Sequence, residues 1–136
     1  MASLIGLYVQ SAKILGKGTF DFVALTSLGL DPAMQRTLFL GFFIAFAIKA
    51  PMVPVHTWLP DAHVEAPTSV SIVLAALLLK TGTYGMIRFG GMILPGAFMQ
   101  YHYVLAIFGV VSIIYGALNA LGSNDLKRMI AYSSIS

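Results

Sequence analysis

Residues 46–63 read FAIKAPMVPVHTWLPDAH. An apolar run reaches Lys49, Pro51 follows at once and Pro54 after it, and His56 and His63 lie beyond them. Proline lacks a backbone N–H and clashes with the preceding turn, so a helix arriving at Lys49 is interrupted there. Packing alone does not call for a lysine at a breaking helix in so apolar a stretch.

The rest of the chain is equally apolar. Of its 136 residues, 58% are hydrophobic and 10% charged, with a mean hydropathy of +0.87. A soluble domain carries about 25% charged residues, so this is the composition of a membrane protein. The net charge of +3 comes from eight Lys and Arg against five Asp and Glu. These charges stand between apolar runs or singly within them, not in a basic patch, which argues against a nucleic-acid partner. With no cysteine there is no disulfide framework and no thiolate metal or iron–sulfur site. Met1 opens an apolar stretch with no basic region before it, which argues against a signal peptide.

Outward from the break, residues 32–60 read as a broken helix. Asp31 is placed to cap it and Pro32 suits its first position. Thr37 to Lys49 covers about 20 Å at the helical rise, short of the roughly 30 Å of a bilayer core. Residues 13–31 form a loop in which TFDFVAL alternates weakly, as a short strand or hairpin would. Residues 1–12 are apolar but make only half a span. A helix is predicted over 67–90, a loop at Pro95 and Gly96, a helix over 101–121, a polar turn at GSNDLKR, and the start of a helix over 126–136. Both ends read as interrupted spans, so the chain is expected to be an internal piece of a longer membrane protein. The fold class is all-α: a polytopic transmembrane helix bundle with one proline-broken helix.

Two lysines fall deep in these spans. Lys49 lies well beyond Arg36, and Lys80 lies midway along its helix, before Arg88. An ionised lysine at mid-membrane costs at least about 2.5–3.5 kcal/mol. Two roles are open: a stabilising ion pair with carboxylates elsewhere, or proton carriage. On an α-helix Lys80 shares a face with Ala76, Thr83 and Tyr84, which is small, hydroxylated and roomy enough for water. Gly82 and Gly85 would let a neighbouring helix approach closely. Pro51 and Pro54 free backbone carbonyls, which persist at membrane depth only inside protein or beside a water-filled cavity. The carbonyl end of the half helix also favours a nearby ammonium. Burial favours the neutral amine and a nearby carboxylate favours the charged one, so a balanced site can load and release a proton. His56 and His63 join Lys49 and Lys80 as candidate proton carriers. Asp61 and Glu65 read as caps or solvent-facing groups, Trp58 as an interface anchor, and Asp125, Lys127 and Arg128 as a solvated helix start.

Two blocks carry a family resemblance. FFIAFAIKAPMVPVHTWLPDAHVEAPTSVSIVLAALLLKTGTYGMIRF and GALNALGSNDLKRMIAYSSIS resemble the antiporter-like membrane subunits of respiratory complex I, in the chain M / NADH dehydrogenase subunit 4 branch. The likeness covers residues 36–136; the loop before it carries little specific signal. It implies a fold of inverted repeats, each with a broken helix, of which this chain is a fragment. It implies that Lys49 is the lysine of the broken helix and Lys80 the connecting lysine of the next. It also implies that His56 and His63 join a hydrated proton path, with partner ionisable residues lying outside this chain. The implied activity is proton translocation by a subunit of NADH:quinone oxidoreductase. NADH, FMN, iron–sulfur clusters and quinone are expected in other subunits, with no redox, cofactor or metal site in this chain. The implied partners are the other membrane subunits, the bilayer and protons, and the implied location is a bacterial plasma membrane rather than an organellar inner membrane.

The alternative readings are a subunit of a multisubunit Na⁺/H⁺ antiporter or of a membrane-bound hydrogenase-type complex. Orientation is contested. Lys13, Lys17, Arg36 and Arg88 against Lys127 and Arg128 place residues 13–36 on the cytoplasmic side, whereas the resemblance implies the outer side.

Overall fold

The computed structural model describes all 136 residues and is all-helical, with no strand. It divides into two compact units, residues 1–45 with 85–102, and residues 46–84 with 103–136.

In the first unit, α1 (Ala2–Leu15) ends on Gly16 at φ 72°, a left-handed conformation that glycine adopts without penalty. The buried Ser11 then ties down the following loop. Its hydroxyl donates to the Tyr8 carbonyl at 2.8 Å and accepts from the Thr19 N–H at 3.0 Å. The strand anticipated at TFDFVAL is absent. Residues Phe22–Thr26 form a short helix, α2, whose first turn is capped by Asp21 accepting from the Val23 N–H. A weak alternation has no partner strand to pair with in this loop, whereas an aspartate before an apolar run offers the local cap a helix needs.

Helix α3 (Pro32–Lys49) begins where Asp31 accepts from the Ala33 N–H at 3.2 Å. It meets α1 closely: a Cβ on Gly6 would lie 2.7 Å from Leu38 Cδ2. Aromatic rings fill the rest of this unit. Phe39 contacts Phe43, Phe98 and Tyr101, and Phe42 stacks on Phe89 at 5.4 Å. The Arg88 guanidinium lies 4.2 Å over the Phe22 ring.

The second unit holds the broken-helix region. Helix α4 (Trp58–Glu65) packs against α8 (Leu126–Ile135). Leu59, Leu79 and Ile135 form its small core, with Leu74 and Tyr132 packed on it. Full burial of a leucine such as Leu59 contributes about 1.5–3 kcal/mol. The helix Thr68–Ile93 is not uniformly α. It runs as α5 (Thr68–Val73), a π-helical segment Leu74–Leu78, α6 (Leu79–Gly85) and a second π-helical segment Met86–Ile93. Helix α7 is unbroken over Pro95–Leu121. Pro95 and Gly96 therefore open the helix instead of forming a loop before residue 101, because proline at the first helical position lacks only an N–H that has no helical partner anyway.

Thr68–Ile93 and Pro95–Leu121 are both long and apolar enough to cross a membrane. Large apolar side chains along them, among them Leu77, Ile107 and Leu118, face outward. This is the reverse of the core helix of a soluble protein.

Candidate functional site at the broken helix

The last turns of α3 show how the break is accommodated. The Ala50 N–H still reaches the Phe46 carbonyl at 2.7 Å, but the Met52 N–H goes five residues back, to the Ala47 carbonyl, at 2.9 Å. Pro51 and Pro54 have no N–H to offer. The Ile48 carbonyl accepts from the Trp58 indole Nε1–H at 2.9 Å. The Val53 N–H donates to the Ser112 hydroxyl at 3.0 Å. Thus Trp58 and Ser112 supply partners that the broken ladder cannot. Trp58 was expected only as an interface anchor, and Ser112 was not among the expected site residues. The interrupted ladder itself was the available signal, since a freed carbonyl calls for a nearby donor.

Gly82 brings the next helix onto this break. A Cβ there would stand 2.8 Å from the Ala50 amide nitrogen and 3.0 Å from Ala50 Cβ. Only glycine permits this approach. Beside it is a cavity of about 290 Å³, lined by Ala50, Pro51, Ala75, Lys80, Thr83 and Ser134, with Leu79. The structure therefore brings Lys80, Thr83 and the proline break together. Tyr84 is 62% exposed and lies outside this lining. Ala75, rather than Ala76, lines this cavity with Lys80. A π-helical turn carries an extra residue, so the Leu74–Leu78 segment shifts the register and presents the residue five positions back. Nothing in the run LAALLLK distinguishes such a turn from an α-helix.

Lys49 ends α3, one residue before the cavity wall, and Lys49 and Lys80 are both exposed on this chain. The enclosure anticipated for the two lysines is thus not supplied by these residues alone. Pro51 is buried and Pro54 exposed.

The two histidines have separate surroundings. His56 is 5% exposed, and its ring meets Tyr115 edge-on at 4.9 Å. Its Nδ1 has no hydrogen-bond partner, and neither does Nε2 of His63, which is 3% exposed. His63 lines a second cavity of about 190 Å³ with Thr68, Ser71, Ala75, Lys127 and Ile130. Ser71 Oγ donates to the His63 carbonyl at 3.3 Å.

The start of α8 is the exposed helix start expected from the sequence, with local contacts added to it. Asp125 caps it, accepting from the Lys127 N–H at 2.9 Å. Lys127 Nζ donates to the Val64 and Ala66 carbonyls at 3.3 and 3.2 Å. It thereby satisfies the carbonyl end of α4, the helix that carries His63. Arg128 and Asp61 add an exposed ion pair at 3.6 Å.

Known proteins share this chain's sequence and fold. NADH-quinone oxidoreductase subunit M of Pseudomonas aeruginosa is 44% identical over all 136 residues, and that of Escherichia coli K12 is 41% identical over the same length. NADH-ubiquinone oxidoreductase chain 4 of Metridium senile is 45% identical over 97% of the chain. The chain spans 26–27% of the length of these relatives. Among solved structures, respiratory complex I from Thermus thermophilus with bound NADH contains a chain that superposes on 98% of this one with a TM-score of 0.86 at 32% identity, and 29% of that chain is covered. The profile of the NADH:quinone oxidoreductase/Mrp antiporter transmembrane family matches residues 2–136, and the chain belongs to that family.

Proposed function

We propose that this chain forms part of a proton-translocating membrane subunit of an NADH:quinone oxidoreductase. The observation that carries the proposal is the cavity where Lys80 and Thr83 meet the proline break at Ala50 and Pro51. An ammonium at membrane depth is expensive to keep without a partner or water, and this cavity offers both water-sized room and hydroxyl groups. Lys80 holds and releases a proton there. Lys49, at the carbonyl end of the half helix, does the same on the other side of the break, where small movements alter its surroundings. His56 and His63 take part as neutral or protonated carriers on the far side of the break.

The partners under this reading are the other membrane subunits of the complex, the lipid bilayer and protons. NADH, flavin, iron–sulfur clusters and quinone belong to other subunits, and a bacterial plasma membrane is the location. The family also covers Mrp antiporters, so a subunit of a Na⁺/H⁺ antiporter is the second reading. The relatives named above, which are NADH-oxidoreductase chains, favour the first.

The test is Lys80→Ala in the full-length subunit, read as NADH-driven proton pumping in membrane vesicles and normalised to assembled complex. Pumping is expected to fall. Unchanged pumping at normal assembly overturns the role.

A further inference from the structure

Helix α7 reads VVSIIYG over residues 110–116, and the serine in this apolar run is buried while its neighbours are not. Ser112 is 6% exposed, whereas Val111, Ile113 and Ile114 are turned outward. The next buried position is Gly116, one turn further on the same face. A Cβ on Gly116 would stand 2.8 Å from the Ser136 amide nitrogen and 3.0 Å from the Tyr132 carbonyl, so this face lies tight against α8. A buried hydroxyl is costly without a hydrogen bond, and the Val53 N–H supplies one at 3.0 Å.

The contacts of α7 with the break come as a matched pair. Ser112 holds the Val53 N–H, and the Tyr115 ring meets the His56 ring edge-on at 4.9 Å. Tyr115 follows Ser112 by three positions, and His56 follows Val53 by three. On an α-helix three positions rise about 4.5 Å. Because α7 is unbroken, the spacing of its two anchors is fixed, whereas the segment between α3 and α4 has only turns. A segment gripped at two points cannot swing about either one. His56 Nδ1 makes no hydrogen bond, so ring packing sets the tilt of the imidazole, not a bond at that nitrogen.

Resting on the reading of Lys49 and His56 as proton carriers, we propose that Ser112 and Tyr115 are positioning residues for the break. Ser112 fixes the backbone midway between the two carriers, and Tyr115 fixes the ring of the second. Neither exchanges a proton in this role.

The experiment compares two pairs of variants in the full-length subunit, with Lys49→Ala alongside. Ser112→Thr and Ser112→Val introduce the same branched shape, but only threonine keeps the hydroxyl. Tyr115→Phe keeps the ring and Tyr115→Leu removes it. The readout is the rate of NADH-driven proton pumping per assembled complex, at a temperature where every variant stays intact, so lost heat resistance does not enter it. Ser112→Val and Tyr115→Leu are expected to pump about two- to tenfold more slowly, in line with the loss of one hydrogen bond or one ring contact. Ser112→Thr and Tyr115→Phe are expected to pump as the parent does. Equal pumping within either pair overturns the proposal. If a Ser112 variant does not assemble, the Tyr115 pair decides. Parent-like pumping by Lys49→Ala instead overturns the reading of Lys49 on which the proposal rests, so the two failures are distinct.

Discussion

Replacing Gly82 by alanine sets two effects of known size against each other. Alanine in a helix interior is favoured over glycine by about 0.8–1 kcal/mol, and in an open position that gain is realised. At Gly82 the added methyl would stand 2.8 Å from the Ala50 amide nitrogen, 3.0 Å from its Cβ and 3.2 Å from its Cα. Two of those three atoms are backbone, so no flexible side chain can swing away. The break and α6 must part until the closest contact reaches an ordinary 3.4 Å or more. Overpacking of this kind costs about 1–3 kcal/mol, which exceeds the propensity gain and leaves up to about 2 kcal/mol of net destabilisation. The shift falls on Ala50, a wall of the Lys80 cavity, so pumping should suffer together with stability. The assay is the fraction of assembled complex that survives graded heating of native membranes, with proton pumping measured on the same samples. Gly109→Ala in α7 is the control, because a Cβ there meets nothing within 4 Å. It should match or exceed the parent in heat resistance. If Gly82→Ala behaves like Gly109→Ala in both measurements, the close packing of α6 on the break is refuted.

Trp58→Phe keeps most of the ring but removes the donor to the Ile48 carbonyl. A typical hydrogen bond contributes about 0.5–1.5 kcal/mol, so the heat resistance of the assembled complex should fall, and unchanged resistance would show that the indole N–H is dispensable. Lys127→Met strips two carbonyl partners from the end of α4 and should lower heat resistance more than Arg128→Ala. Exposed ion pairs such as Arg128 with Asp61 contribute about 0–1 kcal/mol, so the reverse ranking would contradict the structure. Ser112→Ala should weaken the anchor of the Val53 N–H and lower heat resistance, whereas Ser112→Thr should retain the bond and the parent's stability.

The break was legible because proline carries its physics in its covalent structure. Pro51 and Pro54 follow a long helical run, where proline can only interrupt the ladder, and the apolar composition around them pointed to helices in a membrane. Asp31 and Pro32 likewise announced the start of α3. Short-range signals misled where two local preferences competed. At TFDFVAL the alternation suggested a strand, but the Asp21 cap produced a helical turn; at Pro95 a residue read as a loop marker was a helix opener. The site was legible only in part. Lys80, Thr83 and the break share a cavity, but its lining includes Ala75 rather than Ala76, and the π-helical turn at Leu74–Leu78 leaves no trace in a run of leucine and alanine. The reach of Trp58 to Ile48 and of Lys127 to Val64 and Ala66 depends on the chain folding back on itself, which spacing along the sequence does not reveal.

The claim that Lys49 works by changing its protonation is tested most directly by comparing Lys49→Arg with Lys49→Ala in the full-length subunit. Arginine keeps a positive charge at the end of α3 but effectively never gives up its proton in a protein. The measurement is NADH-driven proton pumping in membrane vesicles, normalised to assembled complex. If protonation change is the work, both variants lose pumping, and arginine restores assembly without restoring transport. Full pumping by Lys49→Arg would make Lys49 a fixed counter-ion and contradict the proton-loading account.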